Sequence, residues 1–346
     1  MPGGTIARVR VVVVDHDGGD RTLAALRSIL ATEWPAADLD VVLVDNASLA
    51  PVTATVRTEM PSVRIVESPV NLGFGGGCNL GMGDLAAIDA VALVNDDATV
   101  EPGWLAPLAA ALDADAALGA ACPKILLAST YREVALRSEA QPSGRGERRA
   151  LGVRVSGARV GDTDVSRDLR AARGTWGPEL QPDGVAAQWT DGDATFLVPV
   201  LEGTANPVEL RLDAPAGRAV TLRAGGTESV VVVGPEPAWV ALPEGGPTLR
   251  VVHSTGVTVD DAGFGADRGW LQPDDGRFDT PDEVFAWCGG AVLLRSRYLA
   301  EVGRFDESFF LYYEDLDLAW RGRAHGWRYA YVPTSGVHPV HAASAG

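Results

Sequence analysis

The sequence predicts an α/β fold, a mostly parallel central sheet flanked by helices, interrupted by an inserted all-β domain. Three observations lead there. Short apolar runs recur at Val9–Val14, Leu39–Val44, Val63–Val66 and Val91–Val94, and each stops at a polar cluster. The length and abrupt ends of such runs suit strands buried on both faces. Between them the apolar residues take helical spacing. From about residue 128 to 249 the composition then shifts to Gly, Pro, Val, Thr and Arg, with short alternating runs at Val208–Leu212, Ala219–Arg223 and Ser229–Val233. Alternation with close turn signals predicts an antiparallel, β-sandwich-like domain. The chain therefore divides into 1–127, 128–249 and 250–346, with the polar stretch Gln141–Arg149 as the linker into the insertion.

Taken in order, the first strand ends in Asp15-His16-Asp17-Gly18-Gly19-Asp20, and Leu23, Leu26 and Leu30 space a helix that Trp34-Pro35 breaks. The second strand ends in Asp45-Asn46-Ala47-Ser48. After the third comes the glycine-rich run Asn71 to Gly81, expected to be a tight loop that packs on the sheet or brings main-chain N–H groups close to a ligand. The fourth strand ends in Asn95-Asp96-Asp97. Ligands of open α/β sheets bind beyond the carboxyl ends of the strands, which puts these acids at the mouth of a site. Adjacent carboxylates repel, and a hard divalent cation carrying phosphate oxygens relieves them; the plainer alternative is a helix cap at Asp97 to Thr99. A helix is expected to reach Leu112, and Glu314 is expected to open another, closed by Gly326.

Of 346 residues, 46% are hydrophobic, enough for a large core, and the formal net charge of -17 excludes nucleic acid as the natural partner. Three widely spaced cysteines, Cys78, Cys122 and Cys288, suggest reduced thiols in the cytoplasm. The run at Val11–Val14 stops at Asp15, too early for a secretory signal, and no run nears the ~20 apolar residues of a membrane span. A peripheral place at the inner face of the plasma membrane remains compatible with this.

The succession Val11–Val14, Asp45-Asn46-Ala47-Ser48, Asn71-Leu72-Gly73-Phe74-Gly75-Gly76-Gly77-Cys78-Asn79 and Leu93-Val94-Asn95-Asp96-Asp97 resembles family 2 glycosyltransferases of the GT-A fold, in particular their rhamnosyltransferase-like and galactofuranosyltransferase-like branch. The resemblance covers roughly 1–127 and 250–346. It implies inverting, metal-dependent transfer of a sugar from a nucleotide donor, most naturally a UDP- or dTDP-sugar, to a glycan or lipid-linked acceptor in cell-envelope polysaccharide or glycoconjugate synthesis. By it, Asp15, Asp45, Asn71, Gly73, Asn79 and Asp96 line the donor side, and Asp97 holds Mg²⁺ or Mn²⁺ with His338 or His341. The string Phe305 to Arg321 matches the family's Glu-Asp motif, which makes Asp315 the base, with Glu314 and Asp317 orienting it or holding the acceptor. Trp287, Gly289 and Gly290 are expected beside the acceptor. Family members usually continue past the point corresponding to Gly346.

Two other readings use the same residues. Asp15-His16-Asp17 stands where the family carries Asn-Tyr-Asn, and Asp-x-Asp after a strand is also the nucleophile motif of haloacid-dehalogenase-like phosphatases. A catalytically silent transferase fold could instead serve as a glycan-binding scaffold. The β-insertion is expected to bind a protein or a glycan, with Trp176, Trp189 and Trp239 more in keeping with core than with a sugar platform.

Overall fold

The computed structural model describes residues 5–142, 148–180, 186–201 and 207–339. The chain forms two compact units, one of Met1–Ala128 with Val252–Gly346, the other of Ser129–Val251.

The first unit is built on one sheet. Its strands include β1 (Val9–Asp15), β2 (Leu39–Asn46), β3 (Arg64–Ser68), β4 (Ala90–Val94), β5 (Ala98–Val100), β6 (Leu118–Leu126), β7 (Ala291–Arg295) and β8 (Arg328–Pro339), and the short strands Val252–Ser254 and Asp282–Val284 also join it, on β6 and β8. The helices are α1 (Asp20–Leu30), α2 (Thr53–Glu59), α3 (Gly73–Met82), α4 (Leu105–Ala114), α5 (Ser296–Val302) and α6 (Glu314–Ala324). The main path runs β8-β6-β7-β4-β1-β2-β3. Alternate residues of β1 feed opposite faces: Val11 and Val13 pack with Leu26 and Ile29 of α1 and Leu108 of α4, whereas Val12 packs with Cys78 and Met82 of α3 and Leu318 of α6. Helices on both faces are why these strands are apolar throughout.

The sheet is mixed, not mostly parallel. β4, β1, β2 and β3 are parallel. β7, however, lies antiparallel between β4 and β6, with Ala291 opposite Val94. It enters the sheet at the carboxyl end of β4 and must run back the other way, which brings residues 288–290 to the acids that follow β4. Residues 98–100 also differ from expectation, forming β5 against β8 instead of a helix start.

The glycine-rich run is a helix, not a loop. A methyl group on Gly81 would sit 2.4 Å from Cγ1 of Val12, and one on Gly77 would sit 2.6 Å from Cγ1 of Val14. Glycine lets α3 lie directly on β1, and packing outweighs its poor helix propensity.

In the second unit the strands 227–233, 218–224, 130–138, 186–200, 154–160, 208–213 and 238–241 follow one another in a single antiparallel path, not as two separate sheets. Residues 193–200 of the long strand pair with 130–137, and its residues 188 and 189 pair with 155 and 154. The interior draws on both ends of the path, with Val220 and Leu222 packed in one cluster with Leu210 and Leu212, so the sheet curls over a shared core. The expected linker lies inside this unit, where Gln141–Pro142 pairs with Ala150–Leu151; residues 143–147 lie outside the described residues. Trp239 is 37% exposed beneath the Arg159 guanidinium, and Trp189 lies beneath Arg154, so neither is simple core.

Candidate active site

The carboxyl ends of β1, β2 and β4 bring Asp15, Asp45 and Asp96 together. Asp15 is wholly buried, and its Oδ1 accepts from the Gly18 N–H (3.0 Å) and the Thr22 hydroxyl (2.6 Å). An enclosed carboxylate tied to its own turn cannot attack phosphorus, and Asp17 is likewise spent on the Ala50 N–H at 2.8 Å. The phosphatase reading is set aside on that ground. Asp45 accepts from the Ser48 N–H, whose hydroxyl lies 3.4 Å from Asp15. Asp17 (φ 60°) and Ala47 (φ 65°) are both left-handed, strain of the kind that collects at functional turns. The Asp96 carboxylate lies against Gly18 near Asp15 and is pushed up to about 7, first by burial and then by Asp97 and Asp15, with Arg21 and the His16 N–H opposing.

Three of the expected donor residues hold the scaffold. Asn71 Oδ1 accepts from the Gly73 N–H (2.9 Å) and from Asn46 Nδ2 (3.0 Å). Gly73, left-handed at φ 71°, faces the Phe310 carbonyl, which accepts from the next N–H, that of Phe74, at 3.0 Å. Any side chain on Gly73 would collide with that carbonyl, so glycine serves loop approach here. The Asn79 carboxamide closes on both main-chain groups of Phe305, at 2.9 and 3.1 Å, and on Glu307.

A cavity of about 620 Å³ opens beside the end of β4. Asn95 and Asp97 stand at one side, Gly289 and Gly290 at the floor, and Tyr312 to Leu316 at another side. The Asn95 N–H donates to the Gly290 carbonyl at 3.0 Å, joining the ends of β4 and β7. Asp315 is held in place from across the floor: its Oδ2 accepts from the Gly289 N–H at 2.8 Å, and its Oδ1 from the Leu316 N–H at 2.7 Å. Burial raises its pKa above the ordinary carboxylate range, the two N–H groups oppose this, and Asp267 adds to it. Burial and Asp315 push Glu314 up to about 7, and Oε2 of Glu314 has no hydrogen-bond partner among the described residues. Tyr312 and Tyr313, both at φ 68°, turn the chain into α6 with their rings half exposed at the mouth.

Other expected residues fall elsewhere. Trp287 is fully buried, edge-on to Phe305 at 6.1 Å, so its ring supports the floor from beneath and does not face an acceptor. Asp317 is bridged to Arg321 one turn along α6, at 2.8 Å. His338 Nε2 lies 3.0 Å from Glu101 Oε1, and His341 lies outside the described residues. The sequence reading missed Asp267, Trp270 and His253, which line the cavity; the Trp270 and His253 rings meet edge-to-face at 5.0 Å. An isolated acid, tryptophan and histidine carry no periodic signal.

A mixed sheet with helices on both faces is the architecture of GT-A-like folds, to which this chain is similar. A solved structure, GalNAc-T7 with UDP, GalNAc and Mn²⁺, superposes over 96% of this chain and 44% of its own with a TM-score of 0.52 at 13% identity, which establishes the fold. Residues 10–154 match the model of glycosyl transferase family 2. An N-acetylglucosaminyl-diphospho-decaprenol L-rhamnosyltransferase of Mycobacterium tuberculosis is 38% identical over 68 residues, 19% of this chain and 22% of that protein. Rhamnosyltransferase WbbL of Escherichia coli is 40% identical over 61 residues, 17% and 22%. The matched stretch thus spans about a fifth of those relatives. The first part of the chain is thus similar to glycosyl transferase family 2, and within it to rhamnosyltransferases.

Proposed function

We propose that the chain transfers a sugar, with inversion, from a UDP- or dTDP-sugar to a hydroxyl of a glycan or lipid-linked acceptor in cell-envelope synthesis. The observation that carries this is the position of Asp315, a buried carboxylate fixed by the Gly289 N–H in the same cavity that Asp97 lines. Direct displacement at an anomeric carbon needs one carboxylate to take the acceptor's proton, and a raised pKa makes Asp315 a stronger base for that step. Glu314, beside it and raised to about 7 by burial and by Asp315, is partly protonated near neutral pH, which lessens the negative charge beside the base. Asp15, Asp45 and Asp96 form the donor side, with Asn71, Gly73 and Asn79 holding α3 and the loop before α6 against it.

Hard carboxylate oxygens at Asp96 and Asp97 suit Mg²⁺ or Mn²⁺; burial first, and then the charges of Asp97 and Asp15, raise the pKa of Asp96, and a cation would relieve the second cause. An ion here would be held by one or two carboxylates and completed by a diphosphate. Such an ion would stabilise the departing diphosphate. Of the two expected histidines His338 is the described one, on the strand beside Thr99 and 3.0 Å from Glu101.

Residues 1–127 would then serve the donor and 250–346 the base and the acceptor, with 128–249 an inserted all-β domain for a protein or glycan partner. Among the described residues no helix is long and apolar enough to cross a membrane. The exposed Phe310, Leu311, Tyr312 and Tyr313 next to the cavity support an acceptor presented at the cytoplasmic face of a membrane.

Calorimetric titration of UDP- and dTDP-sugars with and without Mn²⁺ or Mg²⁺ tests the proposal. Cation-dependent binding lost in Asp97→Ala is expected. If neither nucleotide binds under any metal condition, the transferase function is wrong and the scaffold reading gains.

A further inference from the structure

We infer that Asp267 and Trp270 form the seat of the acceptor's reacting sugar, an uncharged pyranose whose ring packs on the indole while a neighbouring hydroxyl is held by the Asp267 carboxylate. The inference rests on the transferase function proposed above and names the acceptor's chemical class and the residues that select it.

Both residues belong to one turn, in which the Trp270 N–H donates to the Asp267 carbonyl at 3.3 Å. Both line the cavity that holds Asp315. Between them, Arg268 turns away and anchors the turn, donating to Asp282 at 2.8 Å and lying over the rings of Phe278 and Tyr331. The turn is therefore fixed from outside while its two flanking side chains serve the cavity. Trp270 is 42% exposed, with its plane set by the edge-to-face contact with His253. A half-exposed, oriented indole at a cavity wall offers an apolar face of the size of a sugar ring.

Asp267 supplies the polar half. Its Oδ1 is buried and has no hydrogen-bond partner among the described residues, a costly state that a ligand hydroxyl would relieve. Its charge is felt at Asp315, so the two carboxylates share one region of the cavity. A hydroxyl bound by Asp267 would bring its neighbour on the same ring toward the base. Charge decides what kind of ring fits. The described lining carries Asp97, Asp267, Glu314 and Asp315 and no lysine or arginine, so a phosphate or uronate in this seat would be repelled. An uncharged ring, apolar on its face and hydroxylated at its edge, meets both walls.

The test is saturation-transfer NMR of the full chain with octyl β-glucoside, octyl β-galactoside, octyl β-N-acetylglucosaminide and octyl β-glucuronide, with UDP and Mn²⁺ binding followed calorimetrically in parallel. The ring protons of at least one neutral pyranoside should receive saturation, and those of the glucuronide should not. Trp270→Ala and Asp267→Asn should each weaken that contact about tenfold or more, Trp270→Phe should retain most of it, and UDP binding should be unchanged. Wild-type protein that contacts none of the neutral rings, or binds the glucuronide as well, overturns the inference, as does Trp270→Ala with wild-type affinity. If UDP binds and the rings do not, the seat is wrong and the transferase function stands. Ring contact at Trp270 in a protein that binds no nucleotide would instead count against the transferase.

Discussion

The main-chain N–H of Gly289 lies 2.8 Å from Oδ2 of Asp315, so a residue just before β7 orients a side chain at the start of α6. Asp315→Asn keeps the shape and removes the proposed base. Turnover should fall about 10²- to 10⁴-fold with cation-dependent nucleotide affinity unchanged, as read by single-turnover kinetics and calorimetry. A loss of less than tenfold would place the base elsewhere.

Asp96 and Glu314, both raised to about 7 from 3.8 and 4.5, stay protonated in the folded chain at pH values where the unfolded chain has lost those protons. Their contribution to stability is present below about pH 4, declines as pH rises to about 7, and is gone above it. The slope is at most about 1.4 kcal/mol per pH unit for each group. Urea unfolding in EDTA from pH 5 to 8 should show this decline, and Asp96→Asn should flatten it. Mn²⁺ should stabilise more at pH 8 than at pH 5. A slope identical in Asp96→Asn would argue against the shift.

Gly81→Ala drives a methyl group into Val12 and Val44 beneath α3. Overpacking of this kind should cost about 1–3 kcal/mol in denaturant unfolding. A neutral result would mean that α3 can lift from the sheet.

Asn79→Ala frees both main-chain groups of Phe305, at the start of the loop that leads to Asp315. Turnover should drop while nucleotide Kd holds. Were nucleotide affinity the property lost, Asn79 would be a donor ligand and not a brace for the loop.

Trp287→Ala empties a fully buried site and should destabilise by about 3–5 kcal/mol. In such a variant acceptor affinity, measured below its unfolding range, should follow the folded fraction.

The parallel strands were legible because helices cover both faces, so β1, β2 and β4 are runs of apolar residues closed by acids that stay at the strand ends in the fold. α6 was legible from its acidic first turn and from Gly326 at φ 86°. α3 was not, because glycines that permit contact with Val12 and Val14 look the same in sequence as glycines of a loop. Strand direction leaves no mark on composition, so the reversal of β7 was hidden, and with it the pairing of Asn95 with Gly290. Asp315 could be found from the motif around it, whereas Asp267 and Trp270 gain their meaning from a turn anchored by Arg268.

The place of β7 also sets an order of events during synthesis. β4 and β6 do not pair with each other; each pairs with β7, which the ribosome makes long after both. Until Arg295 has emerged, the nascent first unit has a slot in the middle of its sheet, with the edges of β4 and β6 open to wrong partners. Residues 129–251 come from one continuous stretch and can complete their own pairing during that interval. Protease digestion of ribosome-stalled chains should find 129–251 protected before residues 9–126, and the reverse order would refute this sequence of events.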